Sequence, residues 1–261
     1  MASDNVLTTD AYAYLDIDFP LCAWAAYRGV LVTPPKEPGF VSVWTAGLLG
    51  RQDTAKINME NALERHRLQH CPNQVSRLHG FFCFSDRETA IKGLKWGGHF
   101  VEDNLVELSL SHATTADNKM DANWITYAPS IDYRSEQEIQ WIANYWSGAP
   151  YPTADPIWET IVEGRICILG TEYRKRAYEI IRDQFPESLC FLEISRISAH
   201  IGSDLGSICA FAQCIDGRYD LSYQMNMRDA DNIVFLNRFK EYIDSANPVN
   251  HADMQPFFER D

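Results

Sequence analysis

A long apolar run, Ile157-Trp158-Glu159-Thr160-Ile161-Val162-Glu163-Gly164-Arg165-Ile166-Cys167-Ile168-Leu169, lies between Pro150, Pro152 and Pro156 on one side and Gly170 on the other. Its β-branched content and flanking breakers predict a long strand or a bulged pair, with Gly164 as the irregularity. Strand alternation sets Glu159 on the face of Ile157 and Ile161. A carboxylate among apolar neighbours is costly unless it is held, which makes Glu159 a candidate site residue; the plainer alternative is a solvated strand position. Glu163, beside Gly164, reads as a turn residue.

The rest of the chain mixes strand and helix signals without regular βαβ alternation. Residues 12–19 alternate like a strand, Gly29–Thr33 is a short apolar run ending at Pro34-Pro35, and Phe40–Trp44 predicts another strand. A charged, mostly exposed helix is expected over 54–70, ending before Pro72. Ser85 and Glu88 form a capping box ahead of Ala90, Ile91 and Leu94. Phe100–Leu110 predicts a strand carrying Glu102 and Glu107, and 112–121 a loop. Ser135 and Glu138 form a second box before Ile139, Ile142, Ala143 and Trp146, spaced as one helix face that ends at Ser147-Gly148. Thr171–Gln184 predicts a helix with Ala177, Ile180 and Ile181 inward. Leu189–Ser198 and Ser207–Met227 read as strand-rich, with Asp216-Gly217 a type I′ hairpin signal. Asp231 is placed to cap a last helix using Leu236, Phe239 and Ile243, and Met254–Phe258 is an apolar tail that could dock on the core. This order predicts an α+β fold, mostly antiparallel, with split sheets and flanking helices.

Composition narrows the function classes. With 23 basic against 36 acidic residues the net charge is −13, which disfavours an extended nucleic-acid footprint driven by counterion release. The densest basic cluster, Arg174-Lys175-Arg176, reads as the solvated side of a helix. Seven scattered cysteines without a CxxC pair read as reduced and structural, which predicts a cytoplasmic location and no zinc site. No apolar run is long enough for a membrane helix, and Met1–Asn5 lacks the start of a signal peptide, so no membrane partner is expected. His66 and His70 have helical spacing but no zincin glutamate between them. Asp16 and Asp18 would share a strand face; cation binding there competes with plain solvation. No GxSxG or phosphate loop is present, Lys95-Trp96-Gly97-Gly98-His99 included.

A second segment, Ser76-Arg77-Leu78-His79-Gly80-Phe81-Phe82-Cys83-Phe84, predicts a strand that opens with a hydroxyl and a guanidinium. Arg can grip phosphate in a bidentate manner, although both residues also suit an ordinary strand start. Ser76-Arg77 with the Phe81–Asp86 stretch, Val106-Glu107-Leu108, Tyr145-Trp146-Ser147-Gly148 and Glu159-x-Ile-Val-x-Gly-Arg-Ile together resemble bacterial and phage domains of the ADP-ribosyltransferase-like fold. The resemblance covers residues 10–170, leaving 171–261 as a C-terminal extension.

The resemblance implies an NAD-dependent mono-ADP-ribosyltransferase with NAD as substrate and no metal. NAD would lie in a cleft between two small sheets. Glu159 would be the catalytic carboxylate, stabilising positive charge as the nicotinamide–ribose bond breaks. Ser76 would support Glu159, Arg77 would meet a phosphate, and Phe81, Tyr145 and Trp146 would supply a stacking wall. Active members carry Arg or His on the first strand, which here offers only Tyr12, Tyr14, Asp16 and Asp18; Arg28 or Tyr14 is left for that role. The implied acceptor is a protein or a short single-stranded nucleic acid. The implied setting is an intracellular toxin or phage-related factor, with an inhibitor or antitoxin protein as a further partner. The competing expectation is a non-catalytic binding module that kept the fold and lost the chemistry.

Overall fold

The computed structural model describes residues 10–115, 119–135, 139–216 and 218–245. In chain order the elements are β1 (Asp10–Tyr14), α1 (Pro20–Arg28), β2 (Val30–Val32), β3 (Phe40–Val41), α2 (Val43–Gly50), α3 (Thr54–His70), β4 (Phe81–Cys83), α4 (Arg87–Ile91), β5 (Leu105–Thr115), β6 (Met120–Asp121), α5 (Asn123–Thr126), α6 (Gln140–Trp146), β7 (Trp158–Ile168), α7 (Thr171–Gln184), α8 (Leu189–His200), β8 (Ile208–Ile215), β9 (Arg218–Met225) and α9 (Ile233–Ser245). Among the described residues every strand pair is antiparallel, and the strands form a six-stranded and a three-stranded sheet among mixed helices. The α+β class expected from the element order is the one observed.

The apolar run 157–169 is the hub of the larger sheet. β7 pairs with β5 and β6 along one edge and with β2 and β4 along the other. β1 pairs with β5 and exchanges two backbone hydrogen bonds with Phe84 just beyond β4, at 2.8 and 2.7 Å. The strands β1, β5, β7 and β4 therefore close into a ring. Gly164 has a φ of +126°, but the extra residue of the bulge lies on β5, between Ser109 and His112. Alternate residues Val162, Ile166 and Ile168 of β7 join Ala11, Ala13, Val106 and Leu108 in the main core. Ile161 faces the other way, into a second core with Met59, Leu63, Tyr145 and Trp146.

Helices α1, α7 and α8 cover the main core, which runs without a break from Ala11 through Tyr173, Ala177, Ile181 and Leu192. β3 pairs with β8, so the smaller sheet joins residues near 40 to residues near 210. Residues beyond 170 thus share the core of those before it.

Several expectations need correction. Residues 15–19 leave the strand and lead into α1, a helix with seven of its residues buried. An apolar stretch buried all round has no amphipathic period to read. Phe40–Trp44 is strand only to Val41, because Ser42 accepts a hydrogen bond from Thr45 N and starts α2. α3 has the expected bounds but buries Ile57, Met59, Glu60, Ala62, Leu63 and Arg67, more than a mostly exposed helix would. Asp86, not Ser85, caps α4 through Thr89 N at 2.7 Å, and that bond helps hold its carboxyl below the usual range. Residues 102–104 form a 3-10 turn, and β5 runs on to Thr115 through part of the expected loop. Leu189–Ser198 is helical, not strand: Ile, Phe and Ser patterning suits either, and the buried face Leu192, Ser195, Arg196 and Ala199 has helical spacing. At α9 the cap is Asn232, whose Oδ1 accepts from Val234 N and Phe235 N, and the buried residue is Phe235 rather than Leu236. The Ser135–Glu138 box, the hairpin glycine Gly217 and the Met254–Phe258 tail involve residues outside those described. β8 and β9 do join through the two-residue turn, with Ile215 opposite Arg218.

Candidate active-site cleft

Ser76–Gly80 forms a tight turn, not a strand entrance. Gly80 N donates to Ser76 O at 2.7 Å, and β4 begins only at Phe81. Gly80 is required there: a Cβ would lie 2.2 Å from Ile161 Cγ2 and 2.8 Å from Ser76 O. The N-terminus of α2 clamps the turn, with Ser42 N donating to Leu78 O at 2.8 Å and Thr45 Oγ1 donating to it at 3.3 Å.

The turn delivers Arg77 into a buried array. Its Nε and Nη2 donate to the two oxygens of Glu60, both at 2.8 Å. Its Nη1 donates to Glu159 Oε1 at 2.9 Å and to the Tyr145 hydroxyl. Tyr145 in turn donates to the same Glu159 oxygen at 2.7 Å, and Trp44 Nε1 donates to Glu60 Oε1 at 3.0 Å. Arg77, Glu60, Glu159 and Tyr145 are exposed by 3%, 1%, 7% and 0%. The guanidinium lies over the Phe82 ring, 4.6 Å from its centroid.

Two carboxylates share one guanidinium, so the array carries formal negative charge in a place water scarcely reaches. Burial pushes the Glu159 carboxyl above the usual range, against the lowering pull of Arg77 and the Tyr145 hydrogen bond. Burial alone would lower Arg77, but Glu60, Tyr145 and Glu159 together hold it well above its ordinary value. Burial, with Glu159 nearby, also pushes the Cys83 thiol up to about 12, which makes that cysteine inert.

Arg77 and Glu159 border a cleft of about 850 Å³ that opens between the two sheets. Phe81, Phe82 and Glu159 line it from the larger sheet, and Ala210, Leu221 and Tyr223 from the smaller. Its aromatic wall is Trp44, Trp96, His99 and Phe100, with the Trp96 and Phe100 centroids 4.9 Å apart and those of His99 and Phe100 4.1 Å apart. Arg51, Lys56 and Lys95 bring exposed cations to it, and Asp16 and Asp18 bring carboxylates.

Of the residues singled out in the sequence, Glu159, Arg77, Phe81 and Tyr14 border this cleft, although the Tyr14 hydroxyl is engaged with Ala90 O at 2.8 Å. Arg28 does not. It is buried away from the cleft, donating to Ser195 Oγ at 3.0 Å, Val30 O at 3.0 Å and Ser203 O at 2.8 Å, and so ties the end of α1 to the C-terminal elements. Trp146 is also misplaced as a stacking wall: it is a core residue whose Nε1 donates to Leu63 O at 3.0 Å. Ser76 does not support Glu159. Its hydroxyl donates to Glu64 Oε2 at 2.9 Å, on the far side of the turn. Sequence reasoning missed Glu60 and Trp44. Their signals were faint: Glu60 sits between Met59 and Leu63 on the apolar side of α3, where a carboxylate needs a partner.

Residues 41–183 match the family model described as "Protein of unknown function (DUF2441)", more than half of the 261-residue chain. The chain belongs to this DUF2441 family. The DUF2441 stretch holds all of Trp44, Glu60, Arg77, His79, Tyr145 and Glu159, whereas Arg28 and the hairpin of β8 and β9 fall outside it. Among curated proteins no relative matches. Among the described residues, no helix is long and apolar enough to cross a membrane.

Proposed function

We propose that the cleft binds NAD and that the protein is an NAD-dependent mono-ADP-ribosyltransferase with Glu159 beside the bond that breaks. The observation that carries this reading is Glu159 itself, fixed by Arg77 and Tyr145 at the edge of an aromatic cleft of about 850 Å³ between two sheets. That volume falls within the roughly 300–1,000 Å³ of small-molecule sites. Aromatic faces suit a nicotinamide and an adenine, and the cations Arg51, Lys56 and Lys95 suit a pyrophosphate. The excess negative charge of the Glu60–Arg77–Glu159 array favours a centre where positive charge develops on a ribose. On this reading residues 10–170 form an ADP-ribosyltransferase-like core, and the acceptor is a protein or a short single strand.

A second reading has its own support. Arg28 is committed to bonds away from the cleft, and Tyr14, which borders it, has its hydroxyl engaged with Ala90 O, so neither first-strand candidate is free to hold a cofactor. A binding module that holds a nucleotide without cleaving it fits that observation. Titration calorimetry with NAD, run beside a nicotinamide-release assay on wild type and Glu159→Gln, separates the two. Transferase activity requires binding, and release that falls at least about 100-fold in the variant. Binding without release favours the module. Neither binding nor release ends both NAD readings.

A further inference from the structure

His79 also lines the cleft, and its bonding pattern fixes what it can do. The Ser76 hydroxyl has one proton, and it goes to Glu64 Oε2 at 2.9 Å, because a carboxylate only accepts. Glu64 is itself pinned by Arg67, whose Nη2 and Nε donate at 2.7 and 2.9 Å. Ser76 Oγ accepts from Leu78 N at 3.1 Å, and its remaining contact is His79 Nδ1 at 3.4 Å. With its proton spent on Glu64, Ser76 can only accept from the ring. Nδ1 must therefore carry the hydrogen, and in the neutral ring Nε2 then carries a lone pair. Nε2 has no bonding partner among the described residues.

We propose that His79 is the basic group of this cleft, held as the Nδ1–H tautomer by Ser76 and Glu64 so that Nε2 accepts a proton from an O–H or N–H group of the bound ligand. Resting on the NAD reading, that group is the acceptor's nucleophile. Its heteroatom forms a bond to the ribose carbon as the carbon–nitrogen bond to nicotinamide breaks. The electron pair leaves with neutral nicotinamide, and the acceptor's proton passes to Nε2. Ser76 is then a positioning residue, acting through His79. The charged groups facing the ring are Glu64 and Arg67 from α3, Glu163 from β7 and Lys36 from the loop before β3. Desolvation outweighs the two carboxylates and keeps the imidazole below its ordinary value, so it stays neutral near pH 7.

Nitrogen NMR of histidine-labelled wild type reads the tautomer without any substrate. Acylation by diethylpyrocarbonate, followed by peptide mass spectrometry, reads the Nε2 lone pair. We expect Nδ1–H, ready acylation of His79 at pH 7, and mixed tautomers in Ser76→Ala. An Nε2–H signal in the wild type, or a His79 that resists the reagent, overturns the proposal. In the turnover assay, His79→Gln should slow transfer to an acceptor at least about 100-fold and remove the acid limb of the pH profile. Transfer within twofold of wild type also overturns it. A wild type that releases no nicotinamide counts against the NAD reading instead, and the tautomer and acylation results then decide the role of His79.

Discussion

Replacing Arg77 by methionine removes the one cation shared by two buried carboxylates. Four side-chain hydrogen bonds disappear: two to Glu60, one to Glu159 and one to Tyr145. Methionine fills much of the volume, so the loss is electrostatic rather than a cavity. Breaking a buried pair from one side costs about 3–5 kcal/mol, because the remaining charge stays buried without a partner. The two pairs share one guanidinium and do not add. A loss of about 3–5 kcal/mol at pH 7 is thus expected, against a total of roughly 5–15 kcal/mol for a domain. The pH dependence identifies the cause. Without Arg77, the Glu159 carboxyl, already pushed up by burial, loses the guanidinium that pulls it down, so the folded state binds more protons than the unfolded chain between its folded and unfolded values. Stability of the variant then falls as pH rises through that window and recovers as pH is lowered. Urea unfolding followed by circular dichroism, at pH 5 and pH 8, measures both effects. A loss under about 1 kcal/mol at pH 7, or the same loss at both pH values, would refute the argument that Glu60 and Glu159 are charged partners of Arg77.

Three other changes probe neighbouring parts of the structure. Tyr145→Phe removes a hydrogen bond to a charged group, costing about 1.5–3 kcal/mol, and lets the Glu159 carboxyl rise further, because that bond lowers it; a pH titration of Glu159 by carbon NMR should move upward, and no movement would contradict the donor role. Gly80→Ala puts a methyl 2.2 Å from Ile161 Cγ2, and overpacking of this kind costs about 1–3 kcal/mol; thermal unfolding should show the drop, and an unchanged midpoint would mean the turn relaxes freely. Arg28→Met should destabilise by about 1–3 kcal/mol through its orphaned acceptors yet leave the affinity of the cleft for NAD unaltered in calorimetry, since Arg28 does not border it.

What the sequence made legible follows a physical division. α3 and α7 have their expected bounds because Pro72 and Gly170 punctuate them locally. β7 was readable as a strand, and Glu159 as an anomaly on it, because alternation is a local property. α1 was illegible because its residues are apolar on all sides, and α8 because Ile, Phe and Ser suit a strand as well as a helix. The partnership of Glu60, Arg77 and Glu159 joins a helix, a turn and a strand far apart in the chain, and no local pattern encodes that meeting. For the same reason Arg28 and Trp146 looked available although long-range contacts had already claimed both. Ser76 kept its importance but changed its neighbour, from Glu159 to His79.

The ring of β1, β5, β7 and β4 also constrains how the chain acquires its structure. β7 pairs with four other strands, β2, β4, β5 and β6, and all of them precede it in the chain. As the chain emerges from the ribosome, β2, β4 and β5 wait for a strand not yet made, and α1 waits for α7 and α8 to cover it. Contacts this distant in sequence close slowly, because the entropy of the intervening loops is lost before the pairing is gained. The waiting strands expose unpaired edges meanwhile, and exposed edges of this kind favour mispairing. Glu159 arrives on the same strand that completes the ring, whereas the cleft gains its other wall only later, from β8 and β9.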